Sequence, residues 1–245
     1  AEQSDQQAAT KRLEQLHDHL QGAGWQVQTL RLCSRSLQAE QLPQLRADLQ
    51  AKALYTWGAL QPSDADWAER RQRWLDSGST PLFFHRPFAH DEQPQASDVD
   101  FLLHTLHTNA LKLFHFGFAF ASPLNSSPYF PVAQYARTGF AVGLQSTNLA
   151  APCATIEQWF DCQRSAWQRL AALLGKETDF LGIDSSVAPL YEGDSSLIYH
   201  LRRWFPTQTF AQLATSDVFC RITQCIKTQN PLPIGLCGLM LPCLE

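Results

Sequence analysis

Residues 114–120 have the sequence Phe-His-Phe-Gly-Phe-Ala-Phe, which is the clearest strand pattern in the chain. Phenylalanine recurs at every second position, with His115, Gly117 and Ala119 between. Because side chains alternate between the two faces of a strand, the pattern predicts one bulky face and one small or polar face. The favoured interpretation is a phenylalanine row that packs beneath helices. The alternative is a small face that borders a cavity.

Similar patterns continue on both sides of this stretch. Further strands are predicted at residues 25–32, 53–60, 81–85 and 180–183. Helices are predicted between them, because Ser or Thr followed three residues later by Gln or Asp marks a helix start. That pattern occurs at Ser4, Ser63, Ser97 and Thr155. Strands that alternate with helices predict an α/β fold with a parallel or mostly parallel sheet, and residues 1–245 show no linker that would divide a single α/β domain.

Composition argues against several classes of protein. Hydrophobic residues make up 44% of the 245 residues, which is enough to bury a core. The net charge of −4 shows no basic surplus, so a nucleic-acid partner is not expected. No apolar run approaches the roughly 20 residues that span a bilayer, so no membrane partner is expected. The seven cysteines form no Cys-x-x-Cys pair, which argues against zinc and predicts reduced thiols in a cytoplasmic protein.

The loop at residues 182–194 is the most informative one. Its polar and glycine residues include Asp184, Ser185, Ser186, Glu192, Gly193 and Asp194. Three carboxylates within eleven residues can hold a divalent metal such as Mg²⁺, which the sequence does not require, or can share acid and base roles. Backbone N–H groups at the start of the helix expected from Ser195 can instead hold an anion. The structural alternative is that Asp184 bonds its own turn and that Asp194 or Ser195 caps the helix.

Two other loops follow predicted strands, where α/β proteins place their sites. The loop after the phenylalanine strand contains Asn125 and Tyr135, which are candidate ligand-binding residues, and a proline-stiffened connection is the alternative. Farther along, Gly235 and Gly238 surround Cys237, whose thiol is a candidate for catalysis. A reactive thiol needs a cation or a helix N-terminus nearby, and an inert, buried Cys237 is the alternative.

Six segments together resemble one protein family. Residues 180–189 are similar to a Gly-Ile-Asp-x-Ser-x-Ala-Pro signature, residues 192–195 to the Glu-Gly-Asp-Ser that follows it, and residues 235–245 to Gly-x-x-Gly-Leu-Met-Leu-Pro-Val-Leu-Glu. The other matches are at residues 24–31, 128–131 and 140–144. In this order they resemble the family catalogued as domain of unknown function seven-eleven. The resemblance implies a fold similar to the pyruvate formate-lyase type of glycyl-radical enzyme, an α/β barrel of two parallel half-sheets with surrounding helices.

The chain also departs from the family pattern. The resemblance implies that residues 1–245 are a fragment of a longer family-type domain, without its first strand and without its continuation past the Leu-Pro-Val-Leu-Glu signature. An incomplete barrel would leave exposed apolar edges, which favour homo-oligomers. The C-terminal glycine motif of glycyl-radical enzymes is missing from the sequence, so no radical chemistry is implied.

Two kinds of function remain open. The first is a non-radical enzyme that acts on a small polar or anionic metabolite in the central barrel cavity. Asp184 would be its base or metal ligand, Glu192 the partner of Asp184, and Cys237 a third candidate catalytic residue. The candidate ligand contacts are Arg31 (as the anchor for an anionic group), Asn125, Tyr135, Ser185, Ser186, Gly193 and Asp194. The second is a non-catalytic ligand-binding or regulatory module on an enzyme-like fold, because fold alone does not imply function.

Overall fold

The computed structural model describes residues 2–33, 53–59, 67–76, 82–120, 137–188, 190 and 193–241. Helices and strands are mixed along these residues, and the four strand pairs they contain are all parallel. The predicted α/β class with parallel sheets is therefore confirmed. The chain divides into two compact units, residues 1–129 and 130–245. The expectation of a single domain stays a prediction.

The first unit contains a four-stranded sheet. Its strands are β1 (Leu30–Cys33), β2 (Ala53–Ala59), β3 (Leu82–Phe88) and β4 (Phe116–Phe120). They lie in the order β1-β2-β3-β4, each parallel to the next. Its helices are α1 (Glu2–Gly22), α2 (Trp67–Asp76), α3 (Ala96–Asn109) and a 3₁₀ helix (Ala110–His115). Parallel neighbours need a crossover connection, which α2 supplies between β2 and β3 and α3 between β3 and β4.

The phenylalanine strand begins two residues later than its pattern predicts. Phe114 and His115 belong to the 3₁₀ helix that continues α3, and pairing with β3 begins only at Phe116. The bulky face packs against helices, as the favoured interpretation predicts. The ring centroid of Phe116 lies 4.9 Å from that of Phe101 in α3 and 6.3 Å from that of Trp74 in α2. Aromatic pairs at such distances add about 0.5–1.5 kcal/mol beyond their burial.

A buried aspartate joins β3 to the start of α3. The Gln95 backbone N–H donates to Asp98 Oδ2 at 2.8 Å, so the cap forms two residues before the expected Ser97. Nε of Arg86, on β3, lies 3.5 Å from Asp98 Oδ1, and the same guanidinium also pairs with Glu92. Arg86 and Asp98 are only 4% and 3% exposed. Asp98 therefore caps α3 through a local backbone bond and also contacts the arginine of β3.

The second unit contains a parallel pair of strands, β5 (Phe140–Gly143) and β6 (Phe180–Asp184). Its helices are α4 (Ile156–Leu174), α5 (Leu197–Trp204), α6 (Phe210–Ala214) and α7 (Val218–Thr228). Two 3₁₀ helices lie at Ser146–Ala150 and Gly193–Ser195. Within the ranges that the structure describes, no helix is long and apolar enough to cross a membrane.

Helix α4 starts as the sequence predicts and packs against β6. The Thr155 hydroxyl accepts the Gln158 backbone N–H at 3.3 Å, and the Gln158 side chain accepts the Ala154 N–H at 2.7 Å. Four large apolar side chains on its inner face are at most 1% exposed: Trp159, Trp167, Leu170 and Leu174. Burial of each stabilises the fold by about 1.5–3 kcal/mol, which holds β6 firmly against the helix.

The segment after α7 runs along β6 on the edge opposite β5. The Ile183 N–H donates to the Leu232 carbonyl at 2.7 Å, and the Ile183 carbonyl accepts the Ile234 N–H at 3.1 Å. A second parallel bridge joins Val187 to Leu239. The course of this segment brings residues 235–238 to the carboxyl end of β6.

Candidate functional site

Strand β6 places Asp184 at its carboxyl end, and a turn from residues 235–238 closes over it. The Ser186 N–H donates to Asp184 Oδ1 at 2.8 Å, and the Leu236 N–H donates to Oδ2 at 3.3 Å. This carboxyl group is 3% exposed, and the Cys237 backbone and the Ser186 side chain also act to lower its pKa. Two segments about 50 residues apart in sequence therefore meet at one buried carboxylate.

Consecutive backbone N–H groups of the turn converge on this point. That of Leu236 bonds Asp184, that of Gly238 bonds the Ser186 hydroxyl oxygen at 3.0 Å, and the Cys237 backbone between them favours the charged form of Asp184. Successive N–H groups that point into one concavity form a nest for an anion. Here the anion is the protein's own Asp184 carboxylate. The turn and the strand end are thus one hydrogen-bonded structure.

Cys237 adopts an unusual backbone conformation in this turn. Its φ is +43°, the one positive value at a residue other than glycine in the described ranges. The left-handed conformation costs an L-residue about 1–2 kcal/mol. The thiol is 7% exposed, with Sγ 3.5 Å from the Ile234 carbonyl oxygen and 4.0 Å from the Asn230 amide nitrogen. The sequence alternative of a buried Cys237 is confirmed, and the conformation adds a strain that the sequence did not indicate.

Burial raises the pKa of the Asp184 carboxyl above its ordinary value. Hydrogen bonds from Ser186, Leu236 and Cys237 favour the charged form, but the loss of hydration outweighs them. A carboxyl group whose pKa is raised exchanges its proton at higher pH than an exposed aspartate does. That shift suits a group that takes up or releases a proton during a reaction.

Ser185 and Asn230 fix the surroundings of this carboxylate. The Ser185 hydroxyl donates to the Ile226 carbonyl of α7 at 2.5 Å, and Ser185 is fully buried. The Asn230 amide donates to the Ile183 carbonyl at 2.7 Å and accepts the Leu232 N–H at 3.1 Å. Asn230 was not among the candidate site residues from the sequence, although Asn followed by Pro is a turn signal. Both side chains tie the ends of β6 and α7 together.

Gly182 permits the close approach of the segment that carries this turn. Its φ is +141°, and a Cβ atom at this position would lie 2.6 Å from the Leu232 carbonyl oxygen. The Cβ atom would also lie 3.2 Å from the Ile234 side chain. Gly182 is therefore needed for strand packing and not for contact with a ligand.

The second half of the acidic loop lies apart from this group. Gly193 and Asp194 are exposed, and the Asp194 carbonyl accepts a hydrogen bond from His200 Nε2 at 2.8 Å. Burial lowers the pKa of His200. The helix start expected at Ser195-Ser196 is confirmed, because α5 is capped by the Ser196 hydroxyl, which accepts a backbone N–H from the first turn at 3.5 Å. Residues 193–195 form a separate 3₁₀ turn, so Asp194 and Ser195 are not the cap.

The remaining candidate residues are dispersed or lie outside the described ranges. Arg31 is exposed on β1 of the first unit, where its Nε donates to Thr29 Oγ1 at 3.4 Å. Glu192, Asn125 and Tyr135 lie outside the described residues. Within the described part of the chain, His, Cys, Asp and Glu form no group of three or more that could hold a metal ion. Asp184, Ser185, Ser186 and Cys237 are therefore the candidates that the structure brings together.

Arg203 organises a second polar contact that sequence reasoning missed. Its guanidinium donates to the carbonyl oxygens of Ala151 at 2.9 Å, Ala150 at 2.6 Å and Cys153 at 2.8 Å. The Trp204 indole N–H donates to the same Cys153 carbonyl at 2.9 Å. These bonds satisfy the carbonyl end of the 3₁₀ helix before α4. A basic residue in the last turn of α5 was the available signal, but its partners lie about 50 residues earlier.

No protein-family model, curated protein or solved structure matches the chain. Its function is therefore inferred from the contacts around Asp184 and Cys237.

Proposed function

We propose that the chain is part of a protein of the domain of unknown function seven-eleven family that binds a small polar or anionic metabolite where its parallel strands end. It acts on this metabolite without a radical, and Cys237 and Asp184 are the reacting residues. The observation that carries the proposal is the left-handed backbone of Cys237, in the turn whose Leu236 N–H donates to the buried Asp184 carboxylate.

The choice of cysteine at this position needs a reason beyond the turn. A glycine would make the same turn without the cost of about 1–2 kcal/mol that an L-residue bears. Strained residues of this kind cluster at functional sites, where the surrounding structure holds them. The neighbouring Gly235, with φ of +81°, and Gly238 add no side-chain bulk around the thiol. A thiol retained at a strained position fits a nucleophile.

Asp184 supplies the proton chemistry in this proposal. The Cys237 sulfur adds to an electrophilic carbonyl carbon of the metabolite, and the thiol proton passes through the Asp184 carboxyl to the carbonyl oxygen. The raised pKa of Asp184 brings it closer to the range in which such transfer is efficient. Glu192 assists as partner to Asp184, and Arg31, Asn125 and Tyr135 are proposed contacts of the metabolite.

The proposal includes the family's architecture. The parallel sheets of the two units support a barrel of two parallel half-sheets with surrounding helices, because such half-sheets are its building blocks. We place the protein in the cytoplasm, with a small-molecule ligand and with neither nucleic acid nor membrane as partner. Uncovered strand edges would favour a homo-oligomer.

A non-catalytic ligand-binding module is the second candidate. The observation in its favour is that both oxygens of Asp184 accept backbone N–H groups, one from Ser186 and one from Leu236. A carboxylate filled in this way can serve as a structural anchor alone. Cys237 would then be a strained residue without a reaction, and the ligand would contact other groups.

One set of variants distinguishes the two candidates. The full chain would be tested by thermal unfolding against small carboxylates, phosphate esters and Mg²⁺, and any compound that raises the midpoint would be followed by NMR for conversion. A ligand at 100 times its dissociation constant adds about 2.7 kcal/mol. Cys237→Gly relieves the strain but removes the thiol, so it should fold with stability within about 1 kcal/mol of the parent and lose conversion. Cys220→Ala, at an exposed cysteine of α7, is the control.

The outcomes separate cleanly. Conversion that stops in Cys237→Gly but continues in Cys220→Ala supports the enzyme. Ligand stabilisation without any conversion in the parent chain supports the binding module. Conversion that is unchanged in Cys237→Gly would remove the thiol from the reaction.

A further inference from the structure

A pair of neighbouring thiols lies outside the proposed reaction site. Cys153 Sγ and Cys162 Sγ are 3.7 Å apart, and Cys153 Sγ also donates to the Leu149 carbonyl at 3.2 Å. Cys153 lies two residues before the cap of α4, and Cys162 lies in the second turn of that helix. Both thiols are free. A distance of 3.7 Å places the two sulfur atoms in van der Waals contact.

The backbone on both sides of this contact is held in place. The Cys153 carbonyl accepts bonds from Arg203 and Trp204, and its N–H donates to the Ala150 carbonyl at 3.0 Å. Cys162 is part of α4, whose neighbouring Trp159 is fully buried. The two sulfurs therefore remain neighbours without any movement of the chain. A disulfide bond of about 2.05 Å would bring the two sulfur atoms about 1.7 Å closer than they are.

The two thiols differ in exposure. Cys153 is 4% exposed, whereas Cys162 is half-buried and borders solvent. Burial and the neighbouring Cys162 raise the pKa of Cys153 to about 11, so Cys153 stays a thiol at neutral pH. A small oxidant from solution therefore meets Cys162 first.

We propose that Cys153 and Cys162 form a dithiol site for hydroperoxides, at which the peroxide is reduced and the two sulfurs close into a disulfide. The Cys162 thiolate attacks a peroxide oxygen, the O–O bond breaks, and the leaving oxygen takes a proton to become water or an alcohol. The resulting sulfenic acid is attacked by the Cys153 sulfur. The S–S bond forms as the S–O bond breaks, and the oxygen leaves as water with the Cys153 proton.

The reaction balances in atoms and electrons without another reactant. The two thiols together lose two protons and two electrons, and the peroxide gains both. A thiol reductant of the glutathione or thioredoxin class reopens the disulfide by exchange. The site is thus reversible, and it is independent of the reaction proposed at Cys237.

The chain supplies an internal comparison for the test. Cleavage after Arg and Lys releases residues 138–164, which contain Cys153 and Cys162, and residues 204–221, which contain only Cys220. The full-length protein would be treated with hydrogen peroxide in steps, alkylated without reduction, digested and analysed by mass spectrometry. We expect residues 138–164 to lose two hydrogen atoms and all alkylation at peroxide doses that leave exposed Cys220 alkylated, and a thiol reductant to restore both alkylation sites.

Two variants make the result decisive. Cys162→Ser should abolish the disulfide and leave the Cys153 thiol free to be alkylated after denaturation. Cys220→Ser should form the disulfide as the parent does. If residues 138–164 keep two free thiols at doses that oxidise Cys220, or yield only sulfinic and sulfonic acids, the pair is a packing contact and the proposal fails. The measurement on the parent chain alone decides this, even if a variant does not fold.

Discussion

Replacing Asp184 by asparagine tests whether this carboxylate holds the 235–238 turn. Asparagine has the same shape, but one of its two ends is an NH₂ donor instead of an acceptor oxygen. Asp184 Oδ1 accepts the Ser186 N–H, and Oδ2 accepts the Leu236 N–H. Whichever way the amide turns, at least one buried backbone N–H loses its acceptor. An orphaned buried donor costs about 1–3 kcal/mol, so we expect Asp184→Asn to lower the free energy of unfolding by that amount.

The raised pKa gives this prediction a pH signature. In the folded state Asp184 keeps its proton to higher pH than the ordinary 3.8 of the unfolded chain. Between these two values the folded state binds more protons, so the stability that Asp184 contributes is full below pH 3.8 and falls as pH rises through the folded pKa. The asparagine amide of the variant does not titrate. The difference between parent and variant should therefore be larger in acid than at neutral pH.

Urea unfolding of both proteins at several pH values would measure these differences. Other titrating groups cancel in the comparison, provided that the two denaturation slopes agree. The control is Asp194→Asn, at an exposed position away from the turn, which should change stability by less than about 0.5 kcal/mol. A loss at Asp184 no larger than at Asp194, or a difference that grows as pH rises, would refute the role assigned to this carboxylate.

Substitutions at two further positions, Gly182 and Arg203, test the packing of the second unit. Gly182→Ala should cost about 2–5 kcal/mol in urea unfolding, because strain at φ of +141° and a Cβ 2.6 Å from the Leu232 carbonyl oxygen add together, whereas Gly193→Ala, with φ of +46° and open space, should cost only about 1–2 kcal/mol. Equal costs at the two glycines would contradict the close approach. Arg203→Ala should lower stability in thermal unfolding by about 1–3 kcal/mol. Arg203→Lys should lower it by nearly as much, because an ammonium group does not match three carbonyl oxygens held by a planar guanidinium. Full recovery of stability with lysine would argue against this geometry.

The elements whose signals are local follow from the sequence. The Thr155 cap of α4 is confirmed together with its Gln158 partner, and β2 ends within one residue of its predicted bound. Strand β1 is shorter than the predicted 25–32, because only Leu30–Cys33 pair with β2. A period-two pattern indicates which residues can form a strand, but a neighbouring strand decides which of them do.

The candidate site likewise combines a local contact that the sequence indicates with distant contacts that it does not. That Asp184 bonds its own turn is predicted from the sequence and confirmed by the Ser186 N–H. The Leu236 N–H donor comes from a segment more than 50 residues later, which no local pattern locates. Whether Glu192 stands beside Asp184 stays a prediction. The spacing of three carboxylates suggested a common site, but exposed Asp194 belongs to a separate turn.

A structural role and a chemical role for Asp184 are compatible, although the sequence presents them as alternatives. The Asp184 carboxylate accepts the N–H of Leu236, the residue before Cys237, and that bond helps to offset the strain of about 1–2 kcal/mol at Cys237. A charge-assisted hydrogen bond contributes about 1.5–3 kcal/mol, so the carboxylate can hold the cysteine in a conformation that it would otherwise leave. An aspartate that anchors the turn is therefore also what presents the thiol. Removal of the anchor should disturb Cys237 whether or not Asp184 transfers a proton, which is why Cys237→Gly, and not Asp184→Asn, is the substitution that decides between an enzyme and a binding module.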